Sequence, residues 1–271
     1  MPQLSLSAGT PNATNGQSSQ SVKSAVRTVE LLDYFARNGG THSLSKLQAA
    51  LGYPKSSTYV LLQTLVSLGW VETDATGTLY GIGVRALLVG TSYIDGDPIV
   101  AAATDVLDWL AEETAETVHL ARLDRLDVVY LATRESQHYL RLFSRVGRRL
   151  PAHATSLGKA LLAEHTDDEL RTLLPTSLEA LSERTIADRG KFLQEMTRTR
   201  KRGYAIDNGE NAEGLRCFGV AIRYVTPARD AISCSVPIAR LTAKKSAAIV
   251  EALLAGRDRL ERATRAMYQG R

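Results

Sequence analysis

Ser156-Leu-Gly-Lys159 fits the S-x-x-K pattern that sets a hydroxyl beside an amine in penicillin-binding enzymes, but no S-D-N or K-T-G companion follows. Ser156 is therefore expected to start or cap a helix, and Lys159 to be solvated. Gly81-Ile-Gly-Val-Arg-Ala86 matches G-x-G-x-x-A without the strand-turn-helix context that would bind a dinucleotide. His42, His119, His138, His153 and His165 show no H-x-x-x-H spacing, and Cys217 and Cys234 lack the short paired spacing of a zinc site. No metal or cofactor is expected. Ser233 and Ser235 are better placed: two residues apart on a predicted strand, they point to one face and Cys234 to the other. Thr155, Ser156 and Leu157 open a predicted helix, where backbone N–H groups suit an anion. Leu142 and Phe143 are candidates for an apolar wall beside such a site.

A different chemistry is written between residues 55 and 68. On a helical wheel of about 100° per residue, Ser57, Leu61, Thr64, Leu65 and Leu68 share one side. Ser56, Tyr59, Val60, Gln63 and Ser67 share the other, with Leu62 and Val66 on a flank. Apolar residues lock such a helix to its neighbours while short polar groups face a DNA groove. Lys55 and the pair Ser56 and Ser57 would fix register on phosphates, and Tyr59 and Gln63 would read sequence.

The elements around that helix follow from periodicity and breakers. Val22, Val26, Val29, Leu32 and Phe35 give residues 21–37 one apolar face. Ser43 is a plausible N-cap for a helix over 44–51, and Gly52-Tyr53-Pro54 separates it from the third helix. Trp70–Glu72 and Thr78–Tyr80 read as a hairpin closed by Asp74–Gly77. Helix, helix, turn, helix, hairpin is the order of a winged helix-turn-helix. A helix over 85–94 then ends at Asp95-Gly96-Asp97-Pro98. Beyond it, helices and strands mix in an α+β pattern: helices over 99–113, 156–164, 167–174, 188–202 and 243–267, and strands over 117–122, 128–132, 140–146, 204–207, 218–224 and 231–236.

Composition sets the bounds. With 271 residues, 44% of them hydrophobic, the chain can bury a core in one large domain or two small ones. No apolar run approaches the ~18 residues that cross a bilayer, and the charge-free start over residues 1–20 reads as a disordered tail rather than a secretory signal. A cytoplasmic protein without membrane contact is expected. The net charge is only +4, and residues 21–84 carry five basic against four acidic residues. One copy would therefore hold DNA weakly, and a dimer would double the contacts.

Several segments together resemble the IclR family of bacterial transcription regulators. Ser43-Leu-Ser-Lys-Leu-Gln48 with Gly52-Tyr-Pro-Lys-Ser-Ser-Thr-Tyr-Val-Leu-Leu-Gln-Thr-Leu-Val-Ser-Leu-Gly-Trp-Val71 resembles its DNA-binding half. Arg149-Leu-Pro-Ala-His-Ala-Thr-Ser-Leu-Gly-Lys-Ala-Leu-Leu-Ala163, Gly203-Tyr-Ala-Ile-Asp-Asn-Gly-Glu-Asn-Ala-Glu-Gly-Leu-Arg-Cys217 and Ala231-Ile-Ser-Cys-Ser-Val-Pro237 resemble its effector half. Val60 stands where the family usually has Arg. The resemblance implies a winged helix-turn-helix DNA-binding domain (21–84), a linker helix (85–97) and a GAF-like effector-binding and oligomerisation domain (98–271). It further implies a dimeric or tetrameric repressor or activator that binds double-stranded operator DNA and a small metabolite, an organic or aromatic acid. The positions matching Asp207, Cys217, Ser233 and Ser235 would line the effector site. A hydrolytic enzyme using Ser156, Cys217 and Asp207, with a regulatory N-terminal domain, is the alternative.

Overall fold

The computed structural model describes residues 21–138 and 145–268. The tail expected over 1–20, most of the strand expected over 140–146, and Leu142 and Phe143 lie outside the described residues. The chain divides into two compact units between Val89 and Gly90.

The first unit contains helices α1 (Lys23–Asn38), α2 (Leu44–Leu51) and α3 (Lys55–Ser67) with strands β1 (His42–Ser43), β2 (Val71–Thr73) and β3 (Leu79–Ile82). The strands pair antiparallel in the order β1-β3-β2. Ser43 caps α2, its hydroxyl accepting from the Lys46 amide at 3.3 Å. Gly52 ends α2 in the left-handed conformation at φ 69° that glycine adopts without strain. Leu31, Phe35, Leu47, Leu62, Leu65, Val71 and Tyr80 form the core.

Two expectations about faces are corrected. On α1, Leu31 and Phe35 turn inward while Val22, Val26 and Val29 are exposed. A 3.6-residue period cannot tell which of two adjacent apolar stripes is covered, and burial on α1 is confined to its second half. On α3, Leu62 on the flank is wholly buried, and Leu68 is 50% exposed rather than inside. Thr58, Leu62 and Leu65 are the buried set, so the covered stripe is rotated from the one read off the wheel.

Helix α4 (Val84–Asp95) begins in the first unit and ends in the second. The second unit continues with α5 (Pro98–Thr114), β4 (Thr117–Asp124), β5 (Asp127–Arg134), β6 (Arg149–Pro151), α6 (Ser156–Leu162), α7 (Asp167–Leu173), α8 (Arg189–Arg202), β7 (Ala205–Asp207), β8 (Leu215–Ile222), β9 (Asp230–Pro237) and α9 (Ala243–Tyr268). Its six strands form a wholly antiparallel sheet in the order β6-β5-β4-β9-β8-β7. Alternation divides the sheet's residues cleanly. Val118, Leu120, Phe218, Val220, Ile232, Cys234 and Val236 face a core shared with α5 and α9. Ala121, Tyr130, Ala205, Ala221 and Ala231 face a second core shared with α6 and α8.

Candidate effector cavity and DNA-facing helix

The face toward α6 changes character along the strands. Small apolar residues give way to a polar row in which Asp207 on β7 pairs with Cys217 on β8, and Cys217 with Ser235 on β9. Cross-strand partners lie about 5 Å apart, so three residues distant in sequence become one contiguous surface. The next row on this face pairs Gly219 with Ser233, and Ser233 with His119.

Glycine brings α6 down onto this surface. A Cβ on Gly219 would lie 2.6 Å from the Ser156 carbonyl oxygen, and one on Gly158 would lie 2.2 Å from the Ala152 Cα. Only hydrogen fits at either place: at Gly219 the backbone of Ser156 and Leu157 rests directly on the sheet, and at Gly158 the helix packs against the turn at Ala152 that precedes it. Thr155 is the N-cap of α6, its hydroxyl accepting from the Gly158 amide at 3.0 Å, and Ser156 is the first helical residue.

Between α6 and the sheet is a cavity lined by all seven residues singled out from sequence: Thr155, Ser156, Leu157, Asp207, Cys217, Ser233 and Ser235. Tyr130, Asn211, Ala212 and Leu215 complete its wall. No local signal in the sequence marks these four, because strand register and the path of the chain after β7 bring them there. About 10 Å³ is open to the centre of a water-sized sphere, roughly one water molecule's worth.

Lys159 is not solvated as expected. It is 1% exposed, and its Nζ lies 2.5 Å from Glu210 Oε1. A buried ammonium needs such a partner, and here the partner comes from the loop after β7. The Glu210 amide donates to Asp207 Oδ1 at 2.7 Å. The Ser182 and Thr185 hydroxyls donate to the carbonyls of Gly209 (2.8 Å) and Glu210 (2.6 Å). The loop entering the cavity wall is thus pinned at Glu210.

Burial pushes the Asp207 carboxyl up from 3.8 to about 6, opposed by the Glu210 amide and reinforced by the Glu210 carboxylate. The sign for stability follows from linkage. The unfolded chain releases this proton near 3.8 and the folded chain near 6, so in that window the folded state holds more protons and stability falls as pH rises. Unfolding free energies measured across this range are expected to show that fall in the wild type and a flatter profile in Asp207→Asn. Equal slopes in the two proteins would contradict the assignment.

Burial also holds the Cys217 thiol well above its ordinary range. It stays protonated near neutrality, the wrong state for a nucleophile. His119 is kept neutral, its pKa driven down to about 3 by burial, and its Nδ1 pairs with the Thr133 hydroxyl at 3.1 Å.

In the first unit, Lys55, Ser56, Tyr59 and Gln63 are exposed on α3, with Ser57 half-buried beside them. Gln63 Nε2 donates to the Tyr80 hydroxyl at 3.4 Å, which ties the end of this polar strip to β3. No side chain caps the start of α3 at Pro54, and the first amides of a helix have no partner within it. The turn between β2 and β3 is fixed by Asp74, whose Oδ1 accepts from the Thr78 and Leu79 amides at 2.8 Å each.

A winged helix-turn-helix unit followed by an α/β unit built on a single antiparallel sheet defines a DNA-binding transcription regulator. Residues 24–75 match the IclR helix-turn-helix domain, and residues 91–261 match the bacterial transcriptional regulator IclR C-terminal domain. The chain belongs to the IclR family of transcriptional regulators. It is 32% identical over 237 residues to the transcriptional repressor IclR of Escherichia coli K12, covering 86% of each chain. An IclR transcriptional regulator from Alicyclobacillus acidocaldarius has the same fold, with a TM-score of 0.80 at 21% identity over 90% of this chain and 99% of that one. So does an IclR homologue from Microbacterium hydrocarbonoxydans solved in complex with 4-hydroxybenzoate, with a TM-score of 0.74 at 21% identity and the same coverage. The chain is a regulator and not an enzyme, which sets aside the hydrolytic reading of Ser156, Cys217 and Asp207. No helix among the described residues is long and apolar enough to cross a membrane.

Proposed function

We propose that this chain is a cytoplasmic repressor whose grip on operator DNA is set by a small carboxylic acid held between α6 and the sheet. In this reading residues 21–84 bind DNA, 85–97 link, and 98–271 bind effector and oligomerise. The observation that carries it is convergence: seven residues from three separate stretches of sequence line one buried, polar cavity. Ser233 and Ser235 supply hydroxyl donors to the carboxylate, Asp207 accepts from a ligand hydroxyl, and Thr155, Ser156 and Leu157 present the start of α6. A phenolic acid of the kind bound by the Microbacterium relative carries both groups, and the wall must open to admit it. Exposed Val22, Val26 and Val29 on α1, with Val84 and Leu87 on α4, support a homodimer or tetramer formed through apolar helix faces.

On the DNA side, Lys55, Ser56 and Ser57 hold phosphates, and Tyr59 and Gln63 meet base edges. Lys55→Ala is expected to weaken retardation of all sequences alike and to reduce the salt slope by about one unit. Gln63→Ala is expected to relax sequence preference by about 1–3 kcal/mol at one base pair. Competition binding at several salt concentrations separates the two, and identical effects would contradict the assigned roles.

The test of the whole reading is a thermal-shift series with 4-hydroxybenzoate and small organic acids, read beside gel retardation of DNA flanking the protein's own gene. A ligand at about 100 times its Kd adds about 2.7 kcal/mol to stability, which is readily seen. Stabilisation that disappears in Ser233→Ala/Ser235→Ala, together with altered retardation, is the expected result. Retardation of no fragment under any condition would sink it.

A further inference from the structure

Arg122 on β4 is the hub of a network outside the cavity that is buried at Asp230 and Asp97 and reaches the surface at Tyr93, which is 52% exposed. It pairs across the sheet with Asp230 on β9, its Nε donating to Oδ1 at 2.8 Å and its Nη2 to Oδ2 at 2.9 Å. Asp230 is fully buried and also accepts from the Tyr224 hydroxyl. The other guanidinium nitrogen, Nη1, serves two further elements. It donates to Asp97 Oδ2, the N-cap of α5 whose Oδ1 accepts from the Ile99 amide at 2.9 Å. It also donates to the Tyr93 hydroxyl at 2.6 Å, on the last turn of α4.

One planar cation thus ties the end of α4 and the start of α5 to two central strands. One carboxylate balances the charge of Arg122 and two already flank it, so the reach to Tyr93 is an additional connection. One of those strands, β9, also carries part of the cavity wall: Ser233 and Ser235 lie three and five residues beyond Asp230, about 10 and 17 Å along a strand. Upstream, α4 runs without a break to Val84.

We infer that Arg122 is a positioning residue that clamps the last turn of α4 to β9, a strand of the cavity wall, and to its neighbour β4, making this joint the route by which a shift of β9 reaches the chain before residue 90. The regulatory meaning rests on the function proposed above; the clamp itself does not.

Tyr93→Phe isolates the connection, because it removes one hydroxyl and leaves Arg122 paired with Asp97 and Asp230. Hydrogen exchange on the full-length protein is expected to quicken about five-fold over residues 90–97, the scale of one lost hydrogen bond, with β4 and β9 unchanged. Retardation of the protein's own promoter DNA is expected to change by about the same factor. Arg122→Met is the stronger variant, but it strands Asp230 in the core and can fail to fold, so the tyrosine variant decides. Unaltered exchange over 90–97 overturns the proposal, and so does quickened exchange with unaltered retardation. If the wild type retards no DNA, the regulator reading falls, and the exchange result alone then decides whether Arg122 clamps α4.

Discussion

Leu62→Ala is expected to unfold the first unit at growth temperature and to abolish DNA retardation, while the second unit keeps its own melting transition. The side chain is wholly buried in a core of seven residues, and truncating a buried leucine costs about 2–5 kcal/mol. A unit this small has about 5 kcal/mol to lose. Leu68→Ala is the control. That side chain is half exposed, and surface truncations of this kind change stability by about 0.5 kcal/mol or less. Calorimetry on full-length protein resolves the two units separately. A wild-type first transition in Leu62→Ala would contradict its place in this core, and an equal loss in Leu68→Ala would return Leu68 to the covered side read from the helical wheel.

Lys159→Met is expected to lower the stability of the second unit by about 3–5 kcal/mol, because it leaves the Glu210 carboxylate buried without its cation. The double replacement Lys159→Met/Glu210→Gln is expected to recover most of that loss, since removing both charges removes the desolvation cost with the attraction. The informative quantity is the coupling between the two sites in a double-mutant cycle. Additive losses would mean that the ion pair is incidental to the packing of α6. The single variant also releases Glu210 from α6 and so loosens the loop that supplies Asn211 and Ala212, so any carboxylate-induced thermal shift is expected to fall with it.

These two predictions sit where reading the sequence fell short. Lysine is almost never fully buried, and the partner of Lys159 lies 51 residues away on another element, so neither residue type nor spacing could signal the pair. On α3 the wheel separates polar from apolar residues correctly, yet the packing of α1 and α2 decides which apolar residues go deepest. The α1 stripe misleads for the same reason.

What could be read was local. Ser43, Gly52 and Pro54 punctuate the helix-turn-helix through capping and backbone chemistry that involve only near neighbours. Ser233 and Ser235 share a face because strands alternate, and four segments in order carry the family resemblance and, through it, Asp207 and Cys217. Tyr130, Leu215 and Asn211 reach the cavity through strand pairing and loop path, which no single window of sequence contains. The role of Gly219 was hidden for the opposite reason. Its importance is the absence of a side chain, visible only once the Ser156 carbonyl is known to lie against it.

That contact has an evolutionary consequence. Main chain is pressed on main chain at Gly219, against Ser156, and at Gly158, against Ala152, so a side chain at either place disturbs the seating of α6 before it can tune the cavity. In the function proposed above, the hydroxyl and carboxyl row beside that contact is what grips the acid group. Under the same proposal, a change of ligand is most easily met at Asn211, Ala212 and Leu215, which lie outside α6, so their side chains can grow or shrink without dislodging that helix. A lineage of such regulators would inherit one immovable seat and keep retailoring its cover.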